Sequence, residues 1–420
     1  MKIFLLNQYY PPDSAPTGQY LHDVARALVQ RGHTVTVFCS QRAYNGDERY
    51  PLEEKRDGVW IHRIRASGFG RRHSIGKMLD YATFYVGLMV RLLASRRQPD
   101  IMMALTTPPH LGLLAAWAAR VKGCVHAHWV MDVYPDVLAA HGVCPEQSWL
   151  YRFLGWLTRC ELRDSPLVVA LGDDMADRLR RYVPAGADAS VVVSLPLWCD
   201  PSLQPWPEGK VVPFRTQQGW SDRDLVVMYS GNMGRGHRLG EFLAAAKRTS
   251  GQPDMQWVFA GGGKRRAEVE TFLQQHPDAQ VRLLPYAPAE RLGEHLSSAD
   301  VHLASLEERW QGCMVPSKLQ GIFAVGRPVL FVGGRQNSLA RWIEESGGGW
   351  VVAPEDGESL LQALRQARQV DERRCRGQAA RAFAESHFDR DRNVNILCTR
   401  LELAVQERAG NGVATSVVTA

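Results

Sequence analysis

Short runs of β-branched and aliphatic residues, each followed by an amphipathic segment, recur from one end of this 420-residue chain to the other. The first half offers strands at 2–7, 34–40 (TVTVFCS), 59–66, 100–106, 124–130, 167–172 and 190–195. Between most of them the apolar period lengthens to that of a helix. In 17–33, Leu21, Val24, Ala25 and Leu28 fall on one helical face. Buried apolar strands alternating with helices predict a doubly wound parallel sheet. The alternation breaks once. Residues 195–214 (LPLWCDPSLQPWPEGKVVPF) hold five prolines and two tryptophans, cannot continue a helix or a central strand, and read as an interdomain connection. Apolar runs then restart at 225, 256, 281, 300, 327 and 348, and helices follow at 357–370, 372–386 and 390–408. The expected fold is α/β, with two Rossmann-like units in tandem at 1–198 and 199–388. A helix at 389–408 is expected to cross back to the first unit, and the tail 409–420 to be disordered.

The bulk numbers agree with this division. A chain this long exceeds one ordinary core. A hydrophobic content of 45%, a charged content of 22% and a net charge of +6 describe a soluble globular protein and do not argue for nucleic acid. No apolar run approaches the roughly 18 residues of a membrane span, and the apolar N-terminal stretch is too short for a signal peptide. Eight scattered cysteines with no zinc spacing predict reduced thiols in the cytoplasm.

Open parallel sheets bind ligands beyond the carboxyl ends of their strands. Three segments of the second half fall there. YSGNMGRGHR (229–238) ends a strand in Gly231 and Asn232 and supplies Arg235 and Arg238. FAGGGKRR (259–266) places Gly261 and Gly262 ahead of Lys264 and Arg265. Only eight of the 50 basic residues are lysines, and one of them, Lys318, follows Pro316-Ser317 at a helix start that the serine can cap. Glycines let backbone approach a phosphate, arginine pairs with it, and helix starts present free N–H groups. Tight βα turns explain one such segment; three on one sheet edge point to an anion site. No GxGxxG follows the first strand of either unit, and no P-loop is present.

In the first half, YYPPDSAPTGQYL (9–21) sets Gly18 at a helix start behind a proline-rich loop, either covering a ligand or simply opening a helix. HAHWVMDVYPDV (126–137) ends a strand in His128, Asp132 and Asp136, carboxylates where catalysis would sit; capping and packing are the plain alternatives. Asp173 and Asp174 read as a cap rather than a metal site. Residues 71–97 (RRHSIGKMLDYATFYVGLMVRLLASRR) are apolar in the middle and basic at both ends. They fit a core helix or a helix lying on an anionic bilayer, and the flanking arginines suit membrane docking in both cases.

Taken together, NQYYPPDSAPTG, RGHTVTV, MDVYPD, LPLWCD, YSGNMG, FAGGG and above all VPSKLQGIFAVGRPVL carry a resemblance spanning nearly the whole chain. It resembles the GT-B glycosyltransferases of the GT4 type, especially bacterial polysaccharide-assembly enzymes such as the fucosamine and colanic acid transferases. The resemblance implies two Rossmann-like domains facing a cleft, with a nucleotide-sugar donor mainly on the C-terminal domain and the acceptor on the N-terminal one. It also implies retention of anomeric configuration without an obligatory metal or other cofactor. Three positions depart from the family pattern. Many relatives carry glutamates where Cys313 and Gly321 stand, the second usually orienting the donor's ribose, and Met131 replaces a basic residue often found before Asp132.

The expected donor-binding set is Gly18, Gly231, Asn232, Arg235, Gly261, Gly262, Ser317 and Lys318. Arg235 and Lys318 would stabilise a departing diphosphate, and Asp132 or Asp136 would orient or deprotonate an acceptor hydroxyl, unless the donor phosphate does so itself. The expected reaction moves a hexosyl or N-acetylhexosaminyl unit to a lipid-linked or oligosaccharide acceptor in exopolysaccharide, capsule or O-antigen synthesis. Its place would be the inner face of the cytoplasmic membrane. Two other readings stand beside it: a sugar-nucleotide 2-epimerase of the same fold, and a non-catalytic partner subunit, suggested by Cys313 and Gly321.

Overall fold

The computed structural model describes residues 1–44, 46–69, 74–184 and 191–417, and the chain divides into two units. One comprises Met1–Leu195 together with the chain from Asp391 onward, the other Pro196–Arg390. In the first unit, β1 (Lys2–Leu6), α1 (Pro16–Gln30), β2 (Thr34–Ser40), β3 (Glu53–Arg56) and β4 (Val59–Ile64) come before α2 (Ser74–Ala94). Then follow β5 (Ile101–Ala104), α3 (Leu111–Lys122), β6 (Val125–Trp129), α4 (Asp136–Ala140) and α5 (Trp149–Leu162). β7 (Leu167–Ala170), α6 (Asp173–Arg180) and β8 (Val192–Ser194) complete the sheet, ordered β3-β4-β2-β1-β5-β6-β7-β8. Only β3 runs antiparallel, joined to β4 through Asp57 and Gly58, both at positive φ as a tight hairpin turn requires.

The apolar faces meet where periodicity predicts. Leu21, Val24, Ala25 and Leu28 of α1 are buried, as are Phe84, Leu88 and Leu92 of α2. The core-helix reading of 71–97 holds for that inner face alone, because Ile75, Leu79, Val86, Val90 and Leu93 remain exposed. Residues 71–73 of that stretch lie outside the described residues.

The second unit opens with a correction. The proline-rich connection contains a helix, α7 (Glu208–Gln217), with Pro213 inside it. A proline there forfeits one backbone hydrogen bond, but Val211 and Phe214 are buried, and Phe214 packs with Trp220, Val226, Met228 and Val258. That burial outweighs the lost bond. β9 (Leu225–Ser230), α8 (Gly240–Arg248), β10 (Met255–Ala260), α9 (Arg266–Gln275), β11 (Val281–Leu284), α10 (Leu292–Ser297) and β12 (Val301–Ser305) follow. Next come α11 (Lys318–Ala324), β13 (Val329–Val332), α12 (Ser338–Ser346), β14 (Gly349–Val352), α13 (Gly357–Ala367) and α14 (Val370–His387). The sheet is wholly parallel, in the order β11-β10-β9-β12-β13-β14. Its strand order reverses between β9 and β12, where doubly wound sheets open a crevice.

α15 (Arg390–Val417) returns the chain to the first unit. Leu397, Cys398 and Leu401 are buried, and Arg31 Nη1 donates to Glu402 Oε2 at 2.8 Å. This helix runs on through much of the stretch expected to be disordered, of which 418–420 lie outside the described residues.

Candidate functional site

Three loops leave the carboxyl ends of β9, β10 and β12 and are knitted to one another. His237 Nδ1 lies 2.7 Å from the Ser305 carbonyl oxygen. Arg238 N donates to Ser305 Oγ at 2.9 Å, and that hydroxyl donates to the Arg238 carbonyl at 2.7 Å. Met233 N donates to the Gly262 carbonyl at 2.6 Å, and Arg265 N to the Met233 carbonyl at 3.0 Å. The approach is so close that a Cβ on Gly261 would lie 2.2 Å from the Gly231 carbonyl oxygen. Gly231 and Gly261 also hold φ of 123° and 126°. Packing of one loop against the other therefore requires glycine at 261, while at Gly231 the positive φ and the Lys318 side chain, 3.2 Å from where a Cβ would stand, favour glycine.

Lys318 reaches into this knot from the first position of α11. Its Nζ stands 3.7 Å from the centre of the Tyr229 ring, donates to the Tyr229 hydroxyl, and donates to the Asn232 carbonyl at 3.3 Å. Burial pushes the ammonium well below the usual lysine range. Ser317 occupies the N-cap position but makes no side-chain capping bond, contrary to the capping read from the sequence. Its hydroxyl is exposed instead.

Beside the knot, Arg235, Lys264, Arg265, Glu268, Glu307 and Arg309 line a hollow of about 330 Å³. Arg265 is committed to Glu268 at 2.7 Å and Glu307 at 2.9 Å, and Arg309 to Glu307 at 2.7 Å. Arg235 and Lys264 form no ion pair among the described residues. Four cations thus face two carboxylates, an excess of positive charge at a switch point. Gly231, Asn232, Arg235, Gly261, Gly262, Ser317 and Lys318 all belong to this unit.

Gly18 belongs to the first unit, where a Cβ would lie 3.0 Å from the Tyr9 carbonyl oxygen, so its helix start rests on backbone. The two carboxylates expected to be catalytic fare differently. Asp136 is buried and accepts from Arg178 Nη1 at 2.6 Å, Tyr182 Oη at 2.6 Å and Tyr151 Oη at 3.1 Å. Its oxygens tie α4 to α5 and α6. Asp132 is half-buried, and burial raises its carboxyl to about 6. It lines a small hollow with Thr106, His110, His128, Tyr134 and Glu161.

His110 and Glu161 are partners that sequence reasoning missed. His110 has φ of 63°, and its Nδ1 lies 2.8 Å from Glu161 Oε1. His110 Nε2 is buried with no hydrogen-bond partner among the described residues. The signal available was position: PPH follows a strand at the same sheet edge as Asp132.

Two of these departures from the family pattern, Cys313 and Gly321, also have local accounts. Cys313 is buried with its thiol 3.6 Å from the Arg309 carbonyl. A Cβ on Gly321 would point at Leu203 and Leu296, 3.4 and 3.5 Å away, an apolar setting unsuited to a carboxylate.

Two doubly wound units in one chain, the second with a cationic hollow at its switch point, give the architecture of the GT-B class. Residues 17–198 match the family model for a glycosyl transferase 4-like domain, and residues 224–369 that for glycosyl transferases group 1. The chain belongs to the GT4-type glycosyltransferases. It is 24% identical over 408 residues to the colanic acid biosynthesis glycosyl transferase WcaI of Escherichia coli (strain K12), covering 93% of this chain and 97% of that one. Its fold is similar to sucrose-phosphate synthase from Thermosynechococcus elongatus, with a TM-score of 0.75 and 16% identity over 98% of this chain and 100% of the other. It is also similar to Anabaena HepE, solved in complex with UDP-glucose, with a TM-score of 0.65 and 13% identity over 98% and 100%.

Proposed function

We propose that this glycosyltransferase moves a hexosyl or N-acetylhexosaminyl unit, with retention of configuration, from a nucleotide sugar to a lipid-linked or oligosaccharide acceptor. The products would be bacterial surface polysaccharide, whether exopolysaccharide, capsule or O-antigen, built at the inner face of the cytoplasmic membrane. One observation carries the reading: Arg235 and Lys264 stand unpaired among the described residues, in a hollow beside the loops that hold Lys318. The names of WcaI, a colanic acid enzyme, and of HepE, bound to UDP-glucose, support the polysaccharide and the donor.

The chemistry follows from charge. Cleaving the sugar–phosphate bond leaves negative charge on the diphosphate, and fixed cations at its oxygens lower that barrier. Arg235, Lys264 and Lys318 supply the positive charge that a divalent ion supplies in other transferases. Asn232 and the backbone of Gly231, Gly261, Gly262 and Ser317 frame the donor. On the first unit, Asp132, with its carboxyl raised to about 6, exchanges protons near neutral pH and receives or orients the acceptor hydroxyl. Asp136 serves it indirectly by holding α4.

A thermal-shift panel of UDP-, GDP-, ADP- and dTDP-sugars tests the reading. One class should raise the melting temperature, since a ligand at a hundred times its Kd adds about 2.7 kcal/mol. Arg235→Ala with Lys264→Ala should remove the shift. A flat response to every nucleotide sugar, or an undiminished shift in the double variant, would end it.

A further inference from the structure

We propose that α2, α3 and α5 of the first unit form one face that docks on an anionic phospholipid bilayer, with the aromatic stripe of α5 as its anchor. α3 packs between α2 and α5, so their outer surfaces adjoin. The outer stripe of α2 runs through Ile75, Leu79, Ala82, Val86, Val90 and Leu93 without a charge, and Ile75, Val86 and Val90 are 75%, 58% and 57% exposed. α3 continues the face with exposed Trp117 and Val121. α5 then sets Trp149, Phe153 and Trp156 at helical spacing; Trp149 is 77% exposed, and the rings of Phe153 and Trp156 stack 6.0 Å apart. Single exposed apolar residues are ordinary, but three adjoining helices of them are not. No helix among the described residues is long and apolar enough to cross a membrane, so the contact is with a surface.

Charge selects the occupant. The three helices carry six basic residues and two acids; Arg91 is paired with Glu53 and Arg120 with Asp164, which leaves Lys77, Lys122, Arg152 and Arg159 without an ion pair among the described residues. Glu161 is buried against His110, and Asp80 accepts from Ser67 Oγ and Phe69 N. Arg152 and Arg159 run along one side of the aromatic stripe and form no ion pair among the described residues, the Arg159 guanidinium lying 5.9 Å from the centre of the Tyr182 ring. Tryptophan and arginine around an apolar centre match the interface of an anionic bilayer, where aromatic rings sit at headgroup depth. A second copy of this chain would set Arg152 and Arg159 against their like, with no exposed acid on these helices to answer them.

The contact stands on this face alone; its meaning, a transferase brought to a lipid-linked acceptor, rests on the function proposed above. Full-length protein sedimented with vesicles of phosphatidylglycerol and phosphatidylcholine should partition strongly, and with phosphatidylcholine alone much less. Trp149→Ser, Phe153→Ser and Trp156→Ser combined should lower partitioning at least ten-fold. Arg152→Gln should lower it about five-fold and weaken its salt dependence. Val86→Ser with Val90→Ser is the second, independent variant. Circular dichroism and the nucleotide-sugar thermal shift should be unchanged in all of them. Absence of partitioning by the wild type overturns the proposal, as does equal binding by the aromatic triple variant. So does a dimer in solution that the same triple variant converts to monomer, which would assign the face to a second copy. Loss of the nucleotide-sugar shift in the wild type bears on the transferase reading and leaves the vesicle result standing.

Discussion

Lys318 is held against its own solvation. Burial disfavours the ammonium, and among the described residues the Tyr229 ring and hydroxyl with the Asn232 carbonyl answer its charge. The folded chain therefore binds fewer protons here than the unfolded one from the depressed value up to the ordinary lysine range, and this residue's contribution to stability rises with pH across that window. Lys318→Met should raise the melting temperature of the free protein at pH 7 and weaken donor affinity about ten-fold or more, through loss of a charge-assisted contact. Thermal shift with and without nucleotide sugar reads both. Asp132 has the opposite sign. Its raised carboxyl makes the folded chain hold the extra proton between about 4 and about 6, so stability falls as pH rises through that window. Asp132→Asn should be more stable than wild type by about 1–3 kcal/mol at pH 7.5, converge with it near pH 4, and lose transfer. Urea melts at the two pH values decide this, and a gap independent of pH would refute the titration.

Among the elements, the β9 and β10 loops make the sharpest claim. Gly261→Ala must move the Gly231 carbonyl and accept a strained φ, at a cost of about 2–4 kcal/mol. Gly240→Ala, whose Cβ would meet nothing within 4 Å, should stay within about 0.5 kcal/mol. Denaturant midpoints separate the two. The same loops show what a sequence can reveal. Glycines, arginines and a lysine at strand ends are legible, because backbone conformation and phosphate chemistry both favour those residue types. That Gly261 must be glycine because the Gly231 carbonyl lies against it, and that Gly231 faces Lys318, are facts of tertiary contact, invisible in a linear reading. β3 hid for another reason: its EEKR has no apolar alternation, and only the Asp57-Gly58 turn announces the hairpin. α7 hid because proline content argued against a helix that the burial of Val211 and Phe214 sustains. In α5, tryptophans resemble core residues until the fold shows which face they occupy.

At the scale of the molecule, two cores with separate sheets predict two unfolding events. Calorimetry should resolve two transitions, and a nucleotide sugar should raise only that of Pro196–Arg390. Removing the chain from Asp391 should lower the other, because Leu397, Cys398 and Leu401 of α15 are buried and Glu402 is bound by Arg31 and His33. Burial alone would raise the Glu402 carboxyl, but its bonds to His33 and Arg31 bring it below the usual range, so this anchor weakens as acid is added. One shared transition, moved as a whole by ligand, would contradict the separation.

The return of α15 to the first unit also sets a timetable for synthesis. Residues 1–195 are made before the other unit, yet they lack a helix of their own core until the chain beyond Asp391 is made. About two hundred residues of the other unit come between, roughly 10–40 s of elongation. The unit made second is thus the first to be whole, and the surface of α1 awaiting α15 is what a chaperone would meet in the interval.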